Sequence, residues 1–157
     1  MLLARRDILK MCAPLGIYAM ALSSGLLRAG RAFAAPVWNK AAFSAKTVDA
    51  VVKALGGTQA SQSADISLTL PEIAENGAVV PVVIESKLPN TRSISILVEK
   101  NPSTLSAVFD IPQGTDPYIG TRVKVASTSN VYALVKTDSG FFITSKQVKV
   151  TLGGCGG

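Results

Sequence analysis

From Asp65 to the end of the chain, apolar residues recur at every second position, broken at short intervals by Pro, Gly, Asn or Ser. This alternation limits what the chain can fold into, because a period of two puts one side of an extended strand in a core and the other in water. "DISLTL" aligns Ile66, Leu68 and Leu70, "VVPVVIESK" aligns Val80, Val82 and Ile84, and "RSISILVEK" aligns Ile94, Ile96 and Val98. "TLSAVFD" aligns Leu105, Ala107 and Phe109, and "TRVKVAST" sets Val123 and Val125 against Arg122 and Lys124. "VYALVKT" aligns Val131, Ala133 and Val135. After the turn at Asp138-Ser139-Gly140, "FFITSKQVKVTL" returns with Val148, Val150 and Leu152 on one face. About seven strands at this spacing predict a mainly β, immunoglobulin-like antiparallel sandwich rather than βαβ units. Pro81 inside its strand predicts an edge or a bulge there, since proline cannot donate to a ladder.

One helix is expected ahead of the strands, over residues 44–55. Val48, Val51, Val52 and Leu55 form an apolar stripe, Asp49 and Lys53 form an i,i+4 pair off it, Ser44 can cap its start, and Gly56-Gly57 can end it. Several strands also carry apolar residues on their second face: Val79, Val83, Leu97, Val108 and Leu134. Either the core is generous for so small a protein, or a partner covers a sheet face or edge.

The first 34 residues read as an export signal rather than as fold. Arg5-Arg6 precedes an apolar stretch from Met11 to Leu27, and Ala32-Phe33-Ala34 fits a cleavage site. Pro14, Gly16 and Gly25 interrupt that stretch, making it a poor membrane-spanning helix, so no stable membrane association is expected. Arg5-Arg6 followed by Asp7-Ile8-Leu9-Lys10 resembles a twin-arginine signal, with Ala4 and Ile8 replacing the usual residues; Arg28 and Arg31 near the cleavage site also suit that route. The expected compartment is the periplasm. The expected division is a cleaved signal at 1–34, a sandwich domain at 35–152 and a flexible arm at 153–157. Of the 16 basic and 10 acidic residues, the signal takes five and one, so the net charge of +6 falls to +2 on the remaining 11 and 9. With no basic block left, no nucleic-acid partner is expected.

The chain has no His, its carboxylates are scattered, and no Gly-rich phosphate loop opens a helix. Losing Cys12 with the signal would leave Cys155 alone, with no internal disulfide and no metal-binding or redox pair. A self-sufficient enzyme is not expected, nor any cofactor or metal.

That remaining thiol stands in "VKVTLGGCGG", flanked by Gly153, Gly154, Gly156 and Gly157. Glycine has the most backbone freedom to lose, so the tail is a poor candidate for a fixed conformation. Nothing adjacent in sequence depresses the thiol pKa from its ordinary value near ~8.5. The arrangement suits an arm that delivers its thiol into other active sites, the logic of a group carrier with Cys155 as the attachment point. The alternative is a non-catalytic binding or structural module whose Cys155 locks a dimer by an intermolecular disulfide.

The terminal "VKVTLGGCGG", with "ALGG" at Ala54–Gly57, "PEIAENGAVVPV" at Pro71–Val82 and "ILVEKNP" at Ile96–Pro102, resembles the SoxY family of the periplasmic thiosulfate-oxidising system. The resemblance implies an immunoglobulin-like sandwich paired with a SoxZ subunit. It implies that Cys155 carries the substrate covalently, that a SoxAX cytochrome couples thiosulfate to it, that a SoxB hydrolase removes sulfate, and that SoxCD oxidises the remaining sulfur where present. The chain itself would catalyse no step.

Overall fold

The computed structural model describes residues 38–151. The expected signal with Arg5, Arg6 and Cys12, and the expected arm with Gly153, Gly154, Cys155, Gly156 and Gly157, lie outside the described residues. Among the described residues no helix is long and apolar enough to cross a membrane.

Among the described residues two short helices come first, α1 (Lys40–Ser44) and α2 (Val48–Ala54). Nine strands follow: β1 (Ala60–Gln62), β2 (Ile66–Thr69), β3 (Ile73–Ala74), β4 (Val80–Ser86), β5 (Thr91–Val98), β6 (Leu105–Asp110), β7 (Tyr118–Val123), β8 (Ser129–Thr137) and β9 (Gly140–Val150). The larger sheet runs β1-β9-β8-β5-β6, with β3 also pairing to β9; the smaller runs β2-β4-β7.

The expected mainly β sandwich is present, and the alternation reads its inner faces correctly except at Leu105: a register shift between Ile96 and Leu97 sets Leu105 opposite Leu97, in the second core rather than on the face of Phe109. Ile94, Ile96, Val98, Val131, Ala133, Val135 and Val148 face Ile66, Leu68, Val80, Val82, Ile84 and Val123 across the two sheets, all buried. Burying each of the Val, Leu and Ile side chains among these contributes about 1.5–3 kcal/mol.

The one helix expected over 44–55 is instead two. Ser44 ends α1, and the chain extends at Ala45 (φ −65°, ψ 141°). Thr47 caps α2, its hydroxyl accepting from the Ala50 amide at 3.2 Å. Asn39 caps α1 by accepting from the Ala42 amide, and its side-chain amide donates to the Ala54 carbonyl at 2.9 Å, tying the two helices together. A side-chain cap available at each start favours two short helices over one.

The second-face residues find part of their cover within the chain. Leu97 and Leu134, with Leu105, Phe141 and Ile143, pack beneath Ala42, Val51 and Val52, and Val108 joins this second core half-buried. The Val48/Val51/Val52/Leu55 stripe thus roofs the outer face of the larger sheet. Gly57 allows the close approach: a Cβ there would stand 2.7 Å from the Phe141 ring. The outer face of the smaller sheet has no such roof among the described residues; Val79 is exposed and Val83 half-buried.

Three other expectations are refined. Strands β1 and β3 run parallel to β9, an exception to the all-antiparallel pattern, and they are too short to show alternation. The strand expected within residues 121–128 is β7, which begins earlier and ends at Val123. Pro81 lies in the middle strand of its sheet rather than at an edge strand or bulge. Its position is nonetheless locally an edge, because β2 pairs only with Val83–Ser86 while β7 extends along Val80–Glu85.

Candidate functional site: the root of the terminal arm

Cys155 itself lies outside the described residues; the structure places the point from which its segment departs. Strand β9 ends at Val150, and that end is held from both sides. On one side, the residues around β3 pair with it: Lys149 N–H donates to the Glu72 carbonyl at 2.8 Å, and Thr151 N–H donates to the Ala74 carbonyl at 3.2 Å. On the other, Val150 N–H donates to Thr128 Oγ1 at 3.0 Å.

Beneath the root sits Gly77, buried. A Cβ at this position would lie 2.5 Å from the Val125 carbonyl oxygen and 2.9 Å from a Val150 methyl. The Gly77 carbonyl accepts from Val125 N–H at 2.7 Å. Only glycine leaves room for the two loops and the last strand to close on one another. Asn76 shapes the turn into this contact, its Oδ1 accepting from Ala78 N–H at 2.9 Å.

Asn101 ties in a third loop. Its Nδ2 donates to the Lys124 carbonyl at 2.7 Å and its Oδ1 accepts from Ala126 N–H at 3.0 Å. Nearby, Glu99 Oε2 accepts from Asn130 Nδ2 at 2.9 Å and from the Tyr132 hydroxyl at 3.3 Å. Burial, and then the Glu99 charge, push the Tyr132 phenol up from its ordinary value, so it stays protonated and donating.

Loops 75–79, 99–104 and 124–128 therefore meet at the end of the sandwich where β9 stops. The stretches "PEIAENGAVVPV" and "ILVEKNP" supply Glu72, Ala74, Asn76, Gly77, Glu99 and Asn101 to this end, while "ALGG" seats the helical roof on the start of β9. Sequence reasoning singled out the tip and did not foresee its root. The signal was present in the Asn-Gly pair at 76–77, which reads locally as a turn; the need for Gly77 arises from residues about fifty and seventy positions later. Among the described residues no group of His, Cys, Asp or Glu side chains could hold a metal ion.

The fold and this root define a class: an immunoglobulin-like β-sandwich whose last strand, braced by three loops, leads into a cysteine-bearing terminus. Comparison with known proteins narrows it. The family model for sulfur oxidation protein SoxY matches residues 51–155, well over half of the chain and up to Cys155 itself. Among solved structures, the sulfur carrier protein SoxY from Chlorobium limicola f thiosulfatophilum is similar at 34% identity and a TM-score of 0.60, over 66% of this chain and 94% of that one. A superoxide reductase (neelaredoxin) variant from Ignicoccus hospitalis is similar at 17% identity and a TM-score of 0.50, over 63% of this chain and 87% of that one; this likeness shows the fold alone. Among curated proteins there is no match. The chain belongs to the SoxY family of sulfur oxidation proteins.

Proposed function

We propose that this sulfur carrier holds oxidation intermediates covalently on Cys155 and presents them to partner enzymes, catalysing no step alone. The supporting observation is the braced root. A terminal segment with four glycines around a thiol departs from a point held by backbone pairing on one side and a threonine hydroxyl on the other. Such a root sets where the arm begins while the glycines leave its sweep open.

In the loading step, a cytochrome of the SoxAX type takes two electrons as thiosulfate joins the thiol. The thiol loses its proton, an S–S bond forms, and Cys155 carries –S–SO3⁻. Water then cleaves the terminal sulfur group in a SoxB-type hydrolase, releasing sulfate and a proton and leaving a persulfide. A SoxCD-type enzyme, where present, oxidises that remaining sulfur. A SoxZ-like chain is the proposed stable partner.

The test is Cys155→Ser in the reconstituted system, with intact mass of the wild-type chain after exposure to thiosulfate and the cytochrome. Loss of thiosulfate-dependent activity with unchanged thermal stability, together with sulfur adducts on the wild-type chain, is the expected result. Substantial activity in the Ser variant, or a disulfide dimer as the sole modified species, overturns it. The proposed site of action is the periplasm, reached by twin-arginine export. Replacing Arg5-Arg6 by Lys-Lys should leave precursor in the cytoplasm, and unimpaired export would refute that route.

A further inference from the structure

Asn76-Gly77 is the single Asn-Gly pair of the chain; the other four asparagines precede Lys40, Thr91, Pro102 and Val131. Asparagine amides are thermolabile. The amide is lost most readily before glycine, which has no Cβ to shield its own nitrogen from the neighbouring side chain. The reaction needs no enzyme and no oxidant. The Gly77 nitrogen attacks Asn76 Cγ, an N–Cγ bond closes a succinimide ring, and the Cγ–Nδ2 bond breaks. Nδ2 leaves as ammonia, taking the Gly77 amide proton with it. Water then opens the ring. Attack at Cγ leaves aspartate at position 76, and attack at the main-chain carbonyl leaves isoaspartate, whose backbone runs through the former side chain.

Two features of the turn favour this reaction and two oppose it. Asn76 is exposed, and the Ala78 N–H that donates to its Oδ1 at 2.9 Å polarises Cγ toward attack. Among the described residues no backbone carbonyl accepts from the Gly77 N–H. Ring closure, however, must turn the peptide between the two residues about the Asn76 Cα–C bond. That peptide is held at both ends: the Asn76 carbonyl accepts from Val79 N–H at 3.3 Å, and the Gly77 carbonyl accepts from Val125 N–H at 2.7 Å. Gly77 also has no lateral room, with the Val125 carbonyl oxygen 2.5 Å and a Val150 methyl 2.9 Å from the position of a Cβ. The pull of one neutral hydrogen bond on Cγ is small beside the loss of these contacts together.

We propose that Asn76 is a site of spontaneous deamidation and isomerisation that the packed end of β9 holds shut, so that it converts only when that end opens. The packing that demands glycine at position 77 keeps the labile pair in the chain, and the same packing protects it. Once formed, isoaspartate cannot be rehoused. It lengthens the backbone by one methylene where Gly77 has no space to move, removes the acceptor that caps Ala78, and adds a negative charge beside the exposed Glu75. The Gly77 carbonyl then leaves Val125, and the closure over Val150 is lost. Each opening thus risks a change that makes later openings easier. The proposal needs nothing from the chemistry of Cys155.

The test is to age the purified chain in mildly alkaline buffer, folded and in urea, and to follow each asparagine by peptide mass mapping, with isoaspartate told from aspartate by its fragmentation. In urea, Asn76 should convert well ahead of the other four asparagines. In the folded chain its conversion should be slower by about tenfold or more, the population cost of a local opening. Thr128→Val removes the hydroxyl that accepts from Val150 N–H and leaves the Asn-Gly pair untouched. It should speed conversion in the folded chain about two- to tenfold, the range for one lost hydrogen bond, and leave the rate in urea unchanged. The isoaspartate form, separated by ion exchange, should show faster hydrogen exchange at Val125, Val150 and Thr151. Equal rates for Asn76 in the folded and unfolded chain, no lead of Asn76 over the other asparagines in urea, a wild-type folded rate in Thr128→Val, or wild-type exchange in the isoaspartate form would each overturn the proposal.

Discussion

The two ends of the sandwich are built by different means. At the end where β9 stops, three loops close on one another through backbone hydrogen bonds, a two-armed asparagine and a glycine with no room for a Cβ. At the opposite end, the β8–β9 turn is held by short-range and surface contacts. Thr137 Oγ1 accepts from Ser139 N–H at 3.1 Å, Gly140 takes a positive φ of 141°, and Arg92 grips Asp138 with two bonds of 2.7 and 3.0 Å. That ion pair is half exposed on both sides. Local turn chemistry suffices where a hairpin simply reverses. Where a chain must leave the fold at a defined point, contacts between residues far apart in sequence hold it.

This contrast predicts a graded response. Gly77→Ala should be the most damaging, because the new methyl meets a backbone oxygen that cannot move aside like a side chain. Overpacking of this kind costs about 1–3 kcal/mol. Urea denaturation should show the loss, and hydrogen exchange at Val150 and Thr151 should quicken beyond the global change. Wild-type stability would show that the root does not depend on this close approach.

Asn101→Ala should have an intermediate effect, about 1 kcal/mol, since water can replace part of what its two bonds supply at a solvated loop. The exchange rates of Ala126 and its neighbours should rise while the hairpin at 138–140 stays unchanged. An equal rise at both ends would erase the proposed difference between them.

The smallest effect belongs to Asp138→Asn. The Arg92 guanidinium holds the Asp138 carboxyl below the ordinary carboxylate value, chiefly by hydrogen bonding. A depressed folded-state pKa contributes stability above the unfolded value near ~3.9, and that contribution is lost as pH falls through the folded value. The variant should therefore differ slightly from wild type at neutral pH and low salt, and match it once the pH is below both values. Exposure and salt weaken the pair, so the difference in Tm should shrink further at high ionic strength. A large neutral-pH difference that salt leaves intact would give this end the rigidity assigned here to the other.

Much of the fold was legible because burial on one face imposes a period of two, and each strand carries that period locally. Most inner-face positions, the apolar stripe of α2 and the glycine-flanked thiol could be read without knowing any neighbour; Leu105 could not, because the register shift opposite it turns it to the second core. The division into α1 and α2 was harder, because Ser44, Thr47 and Asn39 are all competent caps and only the docking of Ala42, Val51 and Val52 on the larger sheet selects among them. The cover over Leu97 and Leu134 required knowing which strands lie beneath the helices. Strands β1 and β3 have no periodicity of their own and exist because β9 offers them an edge.

The sequence by itself determined a mainly β sandwich and a thiol, Cys155, set among four glycines beyond the last alternating run. The tertiary structure decided at which end of the sandwich β9 stops ahead of the Cys155 segment, and that a Cβ at Gly77 would find no room there. The physical reason is range: alternation and turn propensity act over a few residues, whereas a root braced by positions 72–77, 101, 125 and 128 exists only once strands distant in the chain have packed.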